Sequence, residues 1–215
     1  MGKTQRLERA IIFGGCLEEI NPQITSKLND TDDIVCADAG YKYAKENGLK
    51  PDLIVGDFDS SSYPHDAECE IIKLPTHKDD TDLLFALRTA LDRNYRRFIL
   101  TGVTGGRLDQ TLATISTLNF LSEHTNDFYV FDLNTSVFVV NSELTLQKPN
   151  FDCYFSVFSL CEKSEGVNIT GSEYQVLNGE ITDTFPIGVS NEFKDDTVSI
   201  SVKKGKLLVL TVKKD

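Results

Sequence analysis

The hydrophobic periodicity of the chain changes near residue 134, and this change restricts the fold more than any other feature. Before it, short apolar runs typical of strands alternate with segments whose leucines recur every three or four residues. After it, the helical period disappears, and the apolar residues fall in short, β-branched runs bounded by turns. The sequence therefore predicts an α/β domain with a parallel sheet over residues 1–133, followed by an all-β sandwich domain over residues 134–215.

Six strands and two clear helices are predicted in the first domain. The strands are expected at residues 9–13, 33–36, 53–55, 70–73, 98–101 and 128–131. Apolar residues line one face of each helix and are expected to pack in the core. They are Leu83, Leu84, Leu87 and Leu91 in the first helix, and Leu108, Leu112, Ile115, Leu118 and Leu121 in the second. Asp79, Asp80 or Thr81 is expected to cap the first helix.

Seven short strands are predicted in the second domain. They are expected at residues 136–140, 143–147, 154–160, 167–170, 174–177, 198–202 and 207–212. The last two flank the segment Lys203-Lys204-Gly205-Lys206, whose glycine and short length are typical of a hairpin turn.

The charge and the cysteine content restrict the partners and the location of the protein. The formal net charge of −11 and the pI of about 4.7 oppose binding to nucleic acid or to an anionic membrane. The five cysteines are widely spaced without a C-x-x-C pair, so buried, reduced thiols are expected rather than disulfides or a zinc site. Neither a signal peptide nor an apolar segment of membrane-spanning length is recognised, so a cytoplasmic location is expected.

Acidic residues gather in loops that follow the predicted strands. Asp57 and Asp59 come directly after the strand at 53–55, and Asp82 ends a second acidic cluster. Because the carboxyl ends of parallel strands share one edge of a sheet, these loops are expected to converge on one cleft. Carboxylates brought that close repel by roughly 1–4 kcal/mol per pair unless a cation intervenes. Oxygen ligands favour Mg²⁺ over zinc, so the pattern predicts a magnesium site.

A glycine-rich loop precedes the second helix. Gly105 and Gly106 permit positive φ, which allows backbone N–H groups to approach phosphate oxygens, and Arg107 adds a cation. The loop is not a Walker A motif, because no Gly-Lys-Ser/Thr follows, and it lacks the complete G-x-G-x-x-G pattern of a dinucleotide fold. Together with the acidic loops, it predicts a site for magnesium and a nucleoside triphosphate.

Five short motifs together resemble the thiamine pyrophosphokinase (thiamine diphosphokinase) family. They are Asp38-Ala39-Gly40, Gly56-Asp57-Phe58-Asp59-Ser60 after Pro51-Asp52, Lys78-Asp79-Asp80-Thr81-Asp82, Gly105-Gly106-Arg107-Leu108-Asp109-Gln110, and Ser190-Asn191-Glu192-Phe193. The resemblance implies a transferase that converts ATP and thiamine to AMP and thiamine diphosphate with the help of Mg²⁺. It also implies a homodimer, in which the first domain of one subunit meets the second domain of its partner at each active site.

The resemblance also implies roles for particular residues. Asp57, Asp59 and Asp82 are the implied Mg²⁺ ligands and catalytic acids. The implied ATP-binding residues are Asp38, Gly40, Gly105, Gly106, Arg107, Asp109 and Gln110. Those implied for thiamine are Asp79, Ser190 and Asn191. Because the chain has no tryptophan, a phenylalanine or tyrosine must pack on the thiamine rings.

Two alternatives remain open at the level of sequence. Residues 53–61 also imitate the D-x-D-x-[ST] motif of haloacid-dehalogenase-like phosphatases, with Asp57 as the nucleophile. That motif usually opens such a protein, whereas two βα units precede it here. The second alternative is a non-catalytic sensor of thiamine or nucleotide, although the acidic residues that chemistry requires are all present.

Overall fold

The computed structural model describes residues 9–58, 63–76 and 79–214. Contacts within the chain divide it into two compact units, Met1–Leu133 and Asn134–Asp215. In the described residues, no helix is both long enough and apolar enough to cross a membrane.

The first unit is built on a parallel sheet with its helices in the crossover connections. Its strands are β1 (Arg9–Phe13), β2 (Asp32–Ala37), β3 (Leu53–Gly56), β4 (Glu70–Lys73), β5 (Arg97–Thr101) and β6 (Asp127–Phe131). Its α-helices are α1 (Gly40–Glu46), α2 (Asp82–Asp92) and α3 (Leu108–Leu121), and two 3-10 helices cover Leu17–Glu19 and Pro22–Lys27. The strands lie in the order β4-β3-β2-β1-β5-β6, and every neighbouring pair is parallel.

The strand order reverses between β1 and β5. Strands β2 to β4 extend from β1 on one side, and β6 follows β5 on the other. The loops that leave β1 and β5 therefore diverge and open a crevice at the carboxyl edge of the sheet, which is where α/β proteins of this type bind ligands. The central strands are buried on both faces, as in Ala10–Phe13, so the crevice has a rigid floor.

The predicted apolar faces of the two helices differ in outcome. In α2, Thr81 is the N-cap and accepts a hydrogen bond from the Leu84 N–H at 3.2 Å, while Leu87 and Leu91 are buried as expected. In α3, the prediction was wrong for Leu108 and Leu112, whose side chains are 75% and 56% exposed.

The buried face of α3 is rotated away from its first leucines. It comprises Thr114, Thr117, Leu118 and Leu121. Threonines tolerate this burial because their hydroxyls donate to backbone carbonyls, that of Thr114 to Val103 O at 2.7 Å and that of Thr117 to Ala113 O at 2.9 Å. The spacing of apolar residues alone does not reveal that threonines, whose hydroxyls donate to nearby carbonyls, lie on the buried face of the helix.

The second unit is a β-sandwich. Its strands are β7 (Thr135–Val140), β8 (Glu143–Gln147), β9 (Cys153–Ser159), β10 (Lys163–Thr170), β11 (Val176–Thr182), β12 (Thr197–Ser201) and β13 (Leu207–Lys213). One antiparallel layer has the order β7-β13-β9, and the other has the order β11-β10-β12-β8. Both layers supply the core, for example through Phe155, Val167, Ile200 and Val209. The predicted fold class, a parallel α/β domain followed by an all-β sandwich, is confirmed.

The predicted hairpin at Lys203-Lys204-Gly205-Lys206 was wrong. Strand β12 pairs with β10 and β8, whereas β13 pairs with β7 and β9, so the turn connects the two layers. Gly205 has a φ of 99°, and its glycine character is the local signal that suggested a hairpin. A turn residue reports the local backbone conformation and not the layer that the next strand joins.

The thiols are all free, but they are not all buried. Cys36 and Cys153 are buried, whereas Cys16, Cys69 and Cys161 are partly exposed. The expectation of buried thiols therefore holds for two of the five cysteines, since the other three lie in loops or at the ends of strands.

Candidate active site

A cavity of about 600 Å³ opens at the carboxyl edge of the parallel sheet in the first unit. The segments that follow β1, β2, β3 and β5 contribute to its wall, together with the start of α2 and the first half of α3. It is lined by Gly14, Gly15, Cys16, Ala37, Asp38, Asp57, Thr76, Asp80, Thr81, Asp82, Leu83, Gly102, Val103, Gly105, Arg107, Gln110, Ala113 and Thr114. The cavity thus occupies the crevice that the strand order creates.

Carboxylates form one side of this cavity. Asp38 follows β2, Asp57 follows β3, and Asp82 begins α2, where the N–H groups of the first helical turn favour a negative charge. One carboxylate oxygen of Asp82 is buried. Asp80 also lines the cavity and forms an ion pair with Arg88 at 2.8 Å. The structure therefore brings together side chains that are up to 44 positions apart in sequence, from Asp38 to Asp82.

The backbone is strained at Asp38 and at Phe58, the residue after Asp57. Asp38 and Phe58 have φ values of 47° and 57°, a conformation that costs a non-glycine residue about 1–3 kcal/mol. The Asp38 N–H donates to Val55 O at 2.8 Å, which ties the end of β2 to β3. The Phe58 ring packs edge-on against Tyr63 at a centroid distance of 5.1 Å. These contacts hold the acidic loops in conformations that the chain would not otherwise prefer.

The metal-binding capacity of the site rests on few described side chains. Asp57 and Asp82 line the cavity, whereas Asp59 lies outside the described residues. Over residues 9–58, 63–76 and 79–214, no group of three or more His, Cys, Asp or Glu side chains lies close enough to hold a metal ion. The donors that are present are carboxylate oxygens, and they fit a hard divalent cation that takes further oxygen ligands from a bound phosphate.

The glycine-rich loop also lines the cavity, through Gly102, Val103, Gly105 and Arg107. Gly102, Gly105 and Gly106 have φ values of 68°, 82° and 60°. The positive φ at Gly105 favours glycine, and a Cβ there would also lie 2.5 Å from the Glu19 side chain, which would have to shift. Arg107 lines the cavity and pairs with Asp109 through Nη2 and Oδ2 at 2.5 Å, which raises the pKa of Arg107 and lowers that of Asp109.

Asp132 holds this loop from inside the protein, and the sequence did not single it out. Its side chain is only 2% exposed. It accepts hydrogen bonds from the N–H groups of Gly102, Val103 and Thr104 at 2.5, 3.3 and 2.8 Å, and from the Thr104 hydroxyl at 2.5 Å. Burial raises the pKa of Asp132 to about 6, even though the four donors act in the opposite direction. Its position just after β6, next to the end of β5, was the available signal.

We expect the free energy of unfolding to depend on the ionisation of Asp132. The pKa of about 6 in the folded state exceeds the ordinary value of 3.8, so the folded protein retains a proton that the unfolded chain has already released. The stability due to this proton is fully present below pH 3.8 and is lost as the pH rises through about 6.

The measurement is a comparison of the native chain with Asp132→Asn by denaturant unfolding across this pH range. The free energy of unfolding of the native chain relative to the variant should fall by roughly 2 kcal/mol between about pH 4 and pH 7. Other carboxyl groups titrate equally in both proteins, so their contributions cancel. A difference that does not change with pH contradicts the assignment.

The remaining predicted site residues do not line the cavity. Gly40 is buried at the start of α1, and a Cβ there would lie 2.2 Å from Phe13 O, so it serves close packing of the backbone. Gly106, Asp109 and Asp79 are exposed and are not among the residues that line the cavity. Ser190 and Asn191 lie in the second unit.

Several cavity residues were missed at the level of sequence. The pair Gly14-Gly15 directly follows β1 and is a signal of the same kind as Gly105-Gly106 after β5. Thr76 and Thr114 carry no motif that would have identified them. Gly15 is exposed, and a Cβ there would lie 3.9 Å from the Asp38 carboxylate, so this position borders the open part of the cavity.

In the second unit, Asn191 is buried and its side chain bonds to the backbone. Its Oδ1 accepts from the N–H groups of Tyr174 and Glu192 at 3.0 and 2.9 Å, and its Nδ2 donates to Tyr174 O at 2.7 Å. Ser190 is exposed, with a φ of 57°, and its N–H donates to the Ser156 hydroxyl at 3.1 Å. Asn191 thus holds the segment that carries the exposed Tyr174 ring.

Comparison with known families gives a match in each unit. Residues 24–130 match the family model described as the thiamin pyrophosphokinase catalytic domain. Residues 141–207 match the model described as the thiamin pyrophosphokinase vitamin B1 binding domain. The two matches together cover most of the chain, and they occur in the order of the two units.

One sequence relative and two solved structures are similar to this chain over nearly its whole length, and the structures show the same fold. The chain is 26% identical over 206 residues to thiamine pyrophosphokinase of Bacillus subtilis (strain 168), covering 93% of this chain and 96% of that protein. A crystal structure of thiamine pyrophosphokinase from Bacillus subtilis superposes with a TM-score of 0.86 at 24% identity, covering 97% of this chain and 100% of that one. The corresponding structure from Geobacillus thermodenitrificans gives a TM-score of 0.83 at 24% identity, with 97% and 98% covered.

Proposed function

Because the chain belongs to the thiamine pyrophosphokinase family, we propose that it transfers the pyrophosphoryl group of ATP to the hydroxyl of thiamine. The products are AMP and thiamine diphosphate. The observation that supports this proposal most is the cavity at the carboxyl edge of the sheet, which is lined both by carboxylates and by a glycine loop with Arg107. Neither the phosphatase nor the sensor alternative is favoured by the family matches.

The carboxylates are proposed to hold Mg²⁺. Asp57 and Asp82 supply oxygen ligands, and Asp59 is proposed as a third ligand from its place in the motif. When bound, Mg²⁺ offsets the negative charge of the polyphosphate and stabilises the charge that develops during transfer. The rest of the coordination shell is proposed to come from phosphate oxygens and water, which suits the preference of Mg²⁺ for a few protein carboxylates.

The glycine loop is proposed to position the phosphates. The backbone N–H groups of Gly106 and Arg107 approach phosphate oxygens, and the planar guanidinium of Arg107 binds them, while Gly105 shapes the turn. Asp38, Asp109 and Gln110 complete the proposed nucleotide site, and Gly40 supports it by allowing α1 to pack closely. With the phosphates held in place, the thiamine hydroxyl oxygen bonds to the β-phosphorus and releases its proton, while the bond from that phosphorus to the oxygen bridging to the α-phosphate breaks, so AMP leaves.

Thiamine is proposed to bind with the help of Asp79, Ser190 and Asn191. Its rings need an apolar partner, and the second unit exposes the rings of Tyr174 and Phe185. We propose a homodimer in which the second unit of the partner completes each active site, and the exposed Leu108 and Leu112 are apolar surface that a second subunit can cover. A cytoplasmic location is proposed on the basis of the free thiols.

The direct test incubates the protein with ATP, Mg²⁺ and thiamine. Formation of AMP and thiamine diphosphate in equal amounts is expected, with no product when Mg²⁺ is chelated. Release of free phosphate without AMP supports a phosphatase instead. Binding of thiamine or ATP by calorimetry without any turnover under varied metal conditions supports a sensor.

Substitutions at Ser190 and Asn191 are expected to differ in effect. Asn191→Ala removes the partners of three backbone groups, so we expect a loss of roughly 2–4 kcal/mol in the free energy of unfolding. Ser190→Ala should raise the KM for thiamine and leave the stability and the KM for ATP near their native values. Thermal unfolding and initial rates for both variants measure this. An unchanged KM for thiamine in Ser190→Ala contradicts the proposed contact.

A further inference from the structure

We propose that Asp132 is a positioning residue for the nucleotide, which acts by fixing the conformation of the glycine loop from its buried side. This inference rests on the proposed function, because it assigns phosphate binding to that loop. Asp132 itself lies behind the loop and is not among the residues that line the cavity.

The loop divides into a buried half and an exposed half. Gly102, Val103 and Thr104 are buried, Gly105 is partly exposed, and Gly106 and Arg107 are exposed. All three N–H groups of the buried half donate to the Asp132 carboxylate, as does the Thr104 hydroxyl. The N–H groups of Gly106 and Arg107, in the exposed half, are therefore the ones that can turn towards a phosphate.

The position of the carboxylate is itself fixed. The Asp132 carbonyl accepts a hydrogen bond from Asn21 Nδ2 at 3.1 Å, and Asp132 forms an isolated antiparallel bridge with Ile20. The Asn21 N–H in turn donates to the Thr101 hydroxyl at 3.1 Å. These bonds tie the end of β6 to the end of β5 and to the segment after β1, so the carboxylate has a rigid backbone behind it.

The exposed half of the loop is held at its other end by α3. The Gly105 N–H donates to the Thr111 hydroxyl at 3.1 Å, and the Thr111 N–H donates to Arg107 O at 3.2 Å. Hydrogen bonds to Asp132 before this segment and to Thr111 at its ends thus fix the segment from Gly105 to Arg107. If the hydrogen bonds to Asp132 are lost, the segment can move. Its N–H groups then no longer have the fixed arrangement on which tight phosphate binding depends.

A carboxylate is suited to this role because one group accepts four hydrogen bonds. An ionised carboxylate has only acceptors, whereas the amide of asparagine replaces one oxygen with an N–H₂ donor that opposes the N–H groups of the loop. The exchange of Asp132 for Asn therefore preserves size and reverses the hydrogen-bonding character on one side. The loop must then shift or leave buried N–H groups without an acceptor.

The test measures the Kd for ATP with Mg²⁺ by calorimetry, together with the KM for ATP and for thiamine. In Asp132→Asn we expect both ATP constants to rise about a hundredfold, since hydrogen bonds to a charged group are lost. In Thr104→Val, which removes only the hydroxyl donor, we expect a rise of about tenfold. The KM for thiamine should stay within twofold of the native value in both variants, because Asp132 and Thr104 are proposed to affect only the nucleotide site.

Thr117→Val is the matched control. Thr117 is as buried as Thr104, and its hydroxyl donates within α3 to Ala113 O, away from the loop. A purely structural effect lowers the folded fraction, so it reduces kcat and leaves both KM values unchanged in all three variants. That outcome overturns the inference, and so does a Kd for ATP in Thr104→Val equal to that in Thr117→Val.

The two proposals fail in different ways. If the native protein binds ATP but forms no AMP and thiamine diphosphate when thiamine is added, the proposed function is wrong, and the Kd comparison still decides the role of Asp132. If the native protein binds no ATP, both proposals are overturned. If Asp132→Asn does not fold, the comparison of Thr104→Val with Thr117→Val decides the question.

Discussion

Replacement of Asp57 by asparagine is expected to reduce turnover of ATP and thiamine by about a thousandfold while the protein remains folded. Asp57 lies directly after β3 and lines the cavity, where it is a proposed ligand of Mg²⁺. Asparagine keeps the size of the side chain but removes the negative charge, so cation binding and the stabilisation of the transferred phosphates weaken together. Effects of this order are measured when one electrostatic contact to a developing charge is removed.

The measurement is the initial rate of AMP formation at saturating ATP, thiamine and Mg²⁺, together with the circular dichroism spectrum. Asp127→Asn is the matched control, because Asp127 begins β6 at the opposite, amino edge of the same sheet. Its carboxylate is exposed and pairs with Arg97 at 2.7 Å, so this variant should keep the native rate. A near-native rate in Asp57→Asn contradicts the proposed role of Asp57 as a metal ligand.

The second large effect is expected at Arg107. Arg107→Ala should lower kcat/KM for ATP by about a hundredfold, because a bidentate, charge-assisted contact to phosphate is lost. Its ion pair with Asp109 is exposed, so we expect little change in the free energy of unfolding. Arg107→Lys should recover only part of the loss, since an ammonium group keeps the charge but not the planar geometry.

Arg97→Ala serves as the control for Arg107. It removes an exposed arginine of the same type from an ion pair at the amino edge of the sheet, and its kcat/KM should remain native. Steady-state rates over a range of ATP concentrations, with thermal unfolding of each variant, provide the data. If Arg107→Ala and Arg97→Ala have the same kcat/KM, the guanidinium of Arg107 does not bind the nucleotide.

Local sequence signals predicted the elements well because they depend on neighbouring residues. The strands β1 and β4 have the predicted bounds, and Thr81 caps α2 as expected. The change in hydrophobic period near residue 134 also predicted the fold class. The spacing of apolar residues along a segment indicates whether that segment is a helix or a strand. The predicted strand at 174–177 was displaced to β11, because the segment around Tyr174 is held by the side chain of Asn191.

The signals that failed are those that depend on distant parts of the chain. The turn at Gly205 predicted a hairpin, but the partners of β12 and β13 are chosen by the packing of the two layers. The leucines at the start of α3 predicted a core face, but the tilt and rotation of a helix are set by what it packs against. In both cases the local sequence pattern was present, but the element that packs or pairs with it was not the one that the pattern suggested.

The sequence by itself determined that strands alternate with helices in the first unit, that only strands follow in the second, and that acidic and glycine-rich loops end the parallel strands. These properties follow from the spacing of apolar residues and from the backbone freedom of particular residues. Both depend only on residues that are a few positions apart in the sequence. Only the tertiary structure decided that Gly14 and Gly15 line the cavity that holds Asp57 and Asp82, and that Asp132 lies beneath the glycine loop. The reason is physical, because hydrogen bonds and burial between residues 30 positions apart depend on the order of strands in the sheet, which no local segment specifies.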